Sequence, residues 1–389
     1  MTATAPIAPT GDPPIEHHRP WAIICGGGTA GHVVPAIAVG RALVDRGHPA
    51  ASIHFVGARH GIEGRLVPAA GFGVTLLPGR GLVRRLTVGN IRAVVGLAVA
   101  AVKGVALVAR SRPAVIVSVG GYASLPGVLA SVVLRVPLVV VEQNAAPGAA
   151  NRLAARVARA AAISFPGTPL PRAVLTGNPV RQEVLAVDRS PAGRAAARQA
   201  LGLPADATVV VAFGGSLGAR TINRSVLGLA ERWRHRSGLA IYHVVGTRDW
   251  DMITAARPDL ADDGLWYRQV RYEDQMEVVY AAADIAVCRA GASTVAELAA
   301  VGLPAVLVPL PGAPNDHQTA NARALVDVGA ARLIADGEAR ADRLGAELDG
   351  LMDGATLESM ARAAASVAHR DAAASVAELV ERVSGAARA

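Results

Sequence analysis

Two stretches decide the fold of this chain: Ile23-Ile24-Cys25-Gly26-Gly27-Gly28-Thr29-Ala30-Gly31-His32 and Val210-Val211-Ala212-Phe213-Gly214-Gly215-Ser216-Leu217-Gly218. Each is an apolar run, then Gly-Gly, a hydroxyl residue, one spacer and Gly, with helix-like sequence after it. A buried strand delivers the chain to a tight turn, where glycine lets backbone N–H groups approach an oxygen-rich ligand closely. The helix that follows points its positive end at the same spot. Two such loops 187 residues apart predict two similar α/β domains facing one cleft.

The bulk composition agrees. A chain of 389 residues has room for two domains with real cores. Hydrophobic content of 52% with 3% aromatics makes those cores aliphatic. The net charge of +8 suits an anionic partner: phosphate, nucleic acid or an acidic membrane. Cys25 and Cys288 each end an apolar run and form no disulfide framework, which points to a reducing compartment. Residues 1–20 are Pro-rich and polar, and read as a disordered tail without a signal-peptide core. Between Ile91 and Val108 the uninterrupted apolar run is Ala93–Val102, half of a membrane span, so the chain is expected to be soluble or to lie on a membrane without crossing it.

Strand-like runs alternate with stretches of helical length, the mark of βαβ units and parallel sheets. In the first half the runs are Ala22–Cys25, Ser52–Val56, Val74–Leu77, Ala114–Val119, Leu138–Glu142, Ala161–Ser164 and Ala173–Leu175. In the second they are Val209–Phe213, Ala240–Val245, Leu265–Val270, Ile285–Cys288, Ala305–Val308 and Ala331–Leu333, with helix expected over 356–389. The polar, Arg- and Ala-rich stretch from Glu183 to Pro204 carries the boundary. The expected division is a tail at 1–20, domains at 21–185 and 186–370, and a C-terminal helix at 371–389.

Each candidate site has two readings. His32 follows the first loop at a helix N-terminus, with Pro35 placed in the first turn. The positive dipole there favours a neutral imidazole, so His32 is either a general base or a polar residue closing the turn. Ser216, the loop amides and Arg220 could neutralise a diphosphate, or form an ordinary strand-to-helix turn. Thr294 and Glu297 have capping-box spacing, yet a carboxylate one turn into a helix could instead accept ribose hydroxyls. The segment Asn315-Asp316-His317-Gln318-Thr319-Ala320-Asn321 reads as a helix entry or as a reader of sugar hydroxyls. Gly120–Ser124 and Glu142–Asn144 close two first-half strands, and Thr176–Arg181 is a turn with Arg181 as an anion partner. Arg80, Arg84, Arg85 and Arg92, interleaved with aliphatics, suit either an anionic bilayer surface or a plain charged helix face. Scarce aromatics argue against nucleic acid. Gly26, Gly28 and Gly31 also satisfy a dinucleotide fingerprint, but the second strand ends without a carboxylate, and Arg59 leaves NADP as an alternative.

In order along the chain, GGTAGH, SVGGYAS, EQNAAPGAANR, GNPVR, GGSLGARTIN, CRAGASTVAEL and the Gln318 segment resemble the MurG family over about nine-tenths of the length. These are undecaprenyldiphospho-muramoylpentapeptide β-N-acetylglucosaminyltransferases. The resemblance implies an α/β GT-B fold, two doubly wound Rossmann-like domains facing a cleft. It implies inverting transfer of N-acetylglucosamine from UDP-GlcNAc to the 4-hydroxyl of the muramic acid of lipid I, giving lipid II, with no cofactor and no metal. His32 is then the base. Thr29, Ala30, Gly31 and Asn144 line the donor sugar, and Arg181 and Ser216 meet the diphosphate. The backbone of Val270 holds uracil, the junction Ala292, Ser293, Thr294, Val295, Ala296 and Glu297 holds the nucleotide with Glu297 on the ribose, and Gln318 binds GlcNAc hydroxyls. The stretch 80–92 becomes a docking patch for the anionic inner membrane surface. Peripheral attachment to the cytoplasmic face and contact with cell-wall and division machinery are likewise implied.

Two departures carry expectations. Ala30, where the family has glycine, bars angles open only to glycine and predicts a slightly altered loop. Val141, where histidine is usual, removes a polar group from the cleft. Three other functions stay open: a UDP-sugar transferase acting on another lipid, a UDP-GlcNAc 2-epimerase, and a silent lipid- or nucleotide-binding protein.

Overall fold

The apolar run of the first stretch becomes β1 (Ala22–Gly26), buried on both faces, and the helix after its loop is α1 (Ala30–Asp45). A computed structural model describes residues 19–78, 88–260 and 264–385; in the helix starting at Val88 it describes side chains from residue 95. The expected tail, residues 19 and 20 excepted, and the side chains of the Arg80–Arg92 stretch lie outside the described residues.

The first half continues with β2 (Ile53–Ala58), α2 (Glu63–Ala69), β3 (Gly73–Leu77), α3 (Val88–Ser111), β4 (Val115–Gly120), α4 (Leu125–Leu134), β5 (Leu138–Glu142), α5 (Ala149–Val157), β6 (Ala160–Ile163), β7 (Ala173–Leu175) and α6 (Gln182–Leu185). Its strands form one parallel sheet in the order β3-β2-β1-β4-β5-β6-β7. The second half runs α7 (Pro191–Leu201), β8 (Thr208–Phe213), α8 (Arg220–Arg232), β9 (Leu239–Val244), α9 (Trp250–Ala255), β10 (Trp266–Val270), α10 (Met276–Ala282), β11 (Ile285–Cys288), α11 (Ala292–Val301), β12 (Ala305–Leu307), α12 (His317–Val326), β13 (Ala331–Leu333), α13 (Ala341–Asp349), α14 (Gly354–Ser366) and α15 (Ala372–Gly385). Its sheet repeats the plan as β10-β9-β8-β11-β12-β13, again parallel.

Runs such as Val115-Ile116-Val117 and Leu138-Val139-Val140-Val141 are apolar at every position because a parallel sheet is covered on both faces. In each sheet the strand order reverses beside the glycine-loop strand, between β1 and β4 and between β8 and β11. That reversal opens the crevice in which ligands of doubly wound sheets bind. Both cysteines are buried and unpaired, and burial pushes the Cys25 thiol up to about 12.

Two local expectations need correction. Pro35 lies in the second turn of α1, because the helix starts at Ala30. The helical stretch expected over 356–389 is two helices: the chain breaks after Ser366, Arg370 donates to the carbonyls of Ala300 and Leu185, and the second helix starts at Ala372, one residue from the expected start of the C-terminal helix. After the break α15 returns to the first sheet, where Val376, Ala377, Leu379 and Val380 pack in one core with Val117, Val139 and Val141.

Candidate active site

The first loop leaves β1 through Gly26, Gly27 and Gly28 at φ of +142°, +146° and +95°, angles that a side chain resists. Gly27 N–H donates to Gly120 O at 3.3 Å, and a Cβ on Gly121 would meet Gly27 O at 2.6 Å, so the loops after β1 and β4 interlock. Thr29 is the extended N-cap of α1. Ala30 is already helical with negative φ, and the angles that need glycine belong to the three residues before Thr29.

His32 is half-buried in the first turn of α1, its Nδ1 3.1 Å from Thr29 Oγ1. When Nδ1 carries the proton and donates to Thr29, Nε2 is left as the basic nitrogen. Burial holds the His32 pKa below the ordinary histidine value; Glu142 and Glu63 pull it back up, and His317 of the second half pushes it down. Among these causes burial is the largest.

Glu142, at the end of β5, is buried and organises the next loop. One carboxylate oxygen accepts Asn144 N at 2.9 Å, and the other accepts Gly148 N and Asn151 Nδ2, each at 3.0 Å. Asn144 also donates its amide to Glu142 at 3.2 Å and accepts Asn321 Nδ2 at 3.2 Å. Fully buried Asn321 in turn accepts Ala145 N at 2.9 Å and donates to Ala290 O at 3.2 Å. Asn315 Nδ2 reaches Pro147 O at 3.3 Å. These contacts join the two halves at the cleft. Val141 is not part of it, contrary to expectation: its side chain points into the core behind β5.

On the second sheet the loop after β8 leaves Ser216 exposed, its carbonyl accepting Thr247 N at 3.2 Å. Arg220, at the start of α8, is exposed and pairs with the buried carboxylate of Asp249 at 2.9 Å. Val270 ends β10 with its carbonyl accepting Val245 N at 2.9 Å. The α11 helix begins at Ala292 with Gly291 as N-cap, so Thr294 and Glu297 make no capping box. Ala292 and Val295 face the core, while Ser293, Thr294, Ala296 and Glu297 are half-buried. Ser293 Oγ is buried with no hydrogen-bond partner among the described residues.

Glu297 instead accepts Tyr280 OH at 2.9 Å and lies 3.6 Å from Arg181 Nη2, which reaches it from the N-cap of α6. Burial raises the Glu297 pKa, partly offset by Arg181 and the Tyr280 hydroxyl. Gln318, in the first turn of α12, accepts Leu310 N at 2.9 Å, which orients its amide nitrogen. The fold thus brings Thr29 to His32, Arg181 to Glu297, and Asn144 to the helix of Gln318. Ser216 and Val270 sit on the same carboxyl edge as Glu297 without touching it. Among the described residues no three His, Cys, Asp or Glu side chains cluster to hold a metal.

Glu63, Tyr280 and Asn321 carry no individual signal in the sequence. Tyr280 and Glu63 stand in no motif. Asn321 was visible only as one polar residue in a polar segment.

Two family models match. The glycosyltransferase family 28 N-terminal domain covers residues 22–163, and the family 28 C-terminal domain covers residues 208–376. A protein of Acidothermus cellulolyticus named UDP-N-acetylglucosamine–N-acetylmuramyl-(pentapeptide) pyrophosphoryl-undecaprenol N-acetylglucosamine transferase is 42% identical over 94% of this chain and 98% of its own. A protein of the same name from Desulforudis audaxviator is 36% identical over 93% and 98%. The crystal structure of Acinetobacter baumannii MurG matches with a TM-score of 0.75 at 29% identity, over 93% of this chain and 99% of that one.

Proposed function

The chain belongs to the MurG family of glycosyltransferase family 28, and from that premise we propose how its cleft carries out the family reaction. It transfers N-acetylglucosamine from UDP-GlcNAc to the MurNAc-pentapeptide of pyrophosphoryl-undecaprenol, the step from lipid I to lipid II. Residues 186–370 hold the donor, residues 21–185 meet the acceptor, and 371–389 tie back to the first domain.

The reaction is one displacement. The 4-hydroxyl oxygen of the muramic acid forms a bond to the anomeric carbon, the bond to UDP breaks with inversion, and His32 Nε2 takes the hydroxyl proton. Glu297 accepts ribose hydroxyls through the oxygen that Tyr280 leaves free. Arg181, Ser216 and the N-terminus of α11 receive the charge that grows on the departing diphosphate. Val270 backbone borders uracil, while Gln318 and Asn144 face the sugar beside Thr29, Ala30 and Gly31. One observation carries this reading: the Asn144–Asn321 bridge of 3.2 Å sets the base-bearing edge of one sheet against the donor-bearing edge of the other.

The acceptor is a lipid, and no described helix is long and apolar enough to cross a membrane. Val95, Val99 and Val102 on α3, with Leu129, Val132 and Val133 on the adjoining α4, form an exposed aliphatic ridge beside Lys103, Arg110 and Arg135. In this reading the ridge rests on the anionic inner leaflet, with the protein at the cytoplasmic face. Val99→Asp with Val132→Asp is expected to lower sedimentation with anionic vesicles about 10-fold while sparing turnover of a short-chain acceptor; equal sedimentation refutes the ridge.

The deciding experiment follows labelled GlcNAc from UDP-GlcNAc into a short-chain lipid I analogue. Wild type is expected to transfer it. His32→Ala should be about 10²–10⁴-fold slower while still binding UDP, and Glu297→Ala should lose UDP affinity. A folded, UDP-binding wild type that transfers nothing to this acceptor points to a different lipid acceptor or to a silent binder.

A further inference from the structure

Glu63, the first residue of α2, has no part in the mechanism above, yet it is 2% exposed directly beneath the first glycine loop. Its chamber is cut from glycine. A Cβ on Gly27 would lie 1.7 Å from Oε1, one on Gly61 would lie 1.6 Å from Oε2, and one on Gly57 would lie 2.8 Å from Cγ. Three separate positions therefore omit a side chain so that one carboxylate can enter. Oε1 accepts Gly28 N–H at 2.6 Å, the short distance of a charge-assisted bond. Oε2 is buried with no hydrogen-bond partner among the described residues. A buried carboxylate with one bare oxygen is costly to fold around. An apolar side chain would fill the space more cheaply.

We propose that Glu63 is the positioning residue of the transfer: from beneath, it clamps Gly27-Gly28 so that Thr29 and His32 stand at the cleft, and it supplies a fixed negative charge to the imidazolium that forms there. This rests on the reading of His32 as the base. Gly28 is one residue from Thr29, whose hydroxyl touches the His32 ring and whose carbonyl accepts His32 N–H at 3.1 Å, so any slack at Gly28 reaches the ring. Three titratable groups face His32: Glu63 at the start of α2, Glu142 at the end of β5, and His317 at the start of α12. Glu142 exerts the larger pull of the two carboxylates on His32, but it is held by the Asn144–Asn151 loop, away from the glycine loop of the base, and His317 opposes the imidazolium. Glu63 is the carboxylate bonded to the base's own loop. As the acceptor proton arrives on Nε2, the Glu63 charge steadies the cation without moving.

The test compares Glu63→Gln and Glu63→Ala in the full chain. Glutamine keeps the shape and an oxygen for Gly28 N–H while removing the charge, and alanine removes the clamp. Transfer kinetics, UDP binding and the His32 imidazole titration are measured, the last by NMR on histidine-labelled protein with the signal assigned by its loss in His32→Ala. UDP affinity is expected to stay within twofold in both variants. Glu63→Ala should lower kcat about 10²-fold, as expected of a loop displaced by about 1 Å. In Glu63→Gln the His32 titration and the acidic limb of kcat/KM should both move to lower pH, because losing a nearby anion disfavours the imidazolium. An unmoved His32 titration in Glu63→Gln overturns the proposal, as does wild-type kcat in Glu63→Ala. If Glu63→Ala does not fold, the glutamine variant decides alone. If His32 titrates lower in Glu63→Gln while His32→Ala transfers normally, the base assignment falls and the clamp stands.

Discussion

His32 shows how one residue acquires its chemistry from three others. Thr29 takes Nδ1, burial lowers proton affinity, and two carboxylates limit how far it falls. The direction sets a pH dependence. A base works deprotonated, and a pKa held below the ordinary 6.5 keeps it deprotonated to lower pH. The acidic limb of kcat/KM is therefore expected below pH 6.5, and a limb at or above that value in a pH–rate profile would show that another group is titrating. Glu297 is the counterpart in the second half. Its spacing from Thr294 suggested a helix cap, but Gly291 already ends the chain's extended run, so the carboxylate is left to Tyr280 and Arg181. That distinction depends on where the helix starts, which local spacing does not resolve.

Among the elements, the second sheet hides a polar thread that ties α8, the helix after its glycine loop, to β9 and β10. His243 on β9 meets Tyr267 OH of β10 through Nδ1 at 2.9 Å and Asn223 of α8 through Nε2 at 3.0 Å, and Asn223 donates to Val245 O at 3.0 Å. Burial lowers the His243 pKa to about 3. The folded pKa is depressed, so the contribution to stability is intact above about pH 6.5 and is lost as pH falls toward 3. Across that window this group alone should lower unfolding free energy by about 1.4 kcal/mol per pH unit. Denaturant titrations of wild type and His243→Gln between pH 7 and 4 check it: the wild type should lose stability more steeply, and parallel curves would remove His243 as the cause. The elements themselves were legible because β-branched, wholly apolar runs alternate with helical lengths; every expected strand appears within two residues of its expected ends. Within the helical stretch over 356–389 the break lies next to Arg370, whose guanidinium meets carbonyls of Ala300 and Leu185, which are distant in sequence.

For the whole molecule, polar contacts join the two halves at the cleft. Asn321 alone spans Asn144, Ala145 and Ala290. Asn321→Ala leaves the Ala145 N–H unpaired, a loss of about 1–3 kcal/mol, and frees the loop that carries Asn144. Calorimetry should show the lost stability, and transfer kinetics should show kcat/KM falling with it; a destabilised variant with unchanged kcat/KM would mean that the bridge does not set the catalytic distance. The return of α15 works at the same scale: its Leu379 and Val380 cover the first sheet, and Glu381 reaches Arg46 at 2.6 Å and His48 at 3.0 Å.

By itself the amino-acid sequence determined the repeated strand–loop–helix plan, the parallel sheets and the family, because those depend on local hydrophobic period, on glycine where φ is positive, and on motifs read in order. Tertiary structure alone decided which partners the side chains around the cleft took. Arg220 turned to Asp249, Val141 turned to the core, and Asn144 was drawn to Asn321. Glu63 found its place in a chamber made by Gly27, Gly57 and Gly61. A side chain's partner is set by which strand ends are brought side by side, and that proximity is written nowhere in the neighbours along the chain.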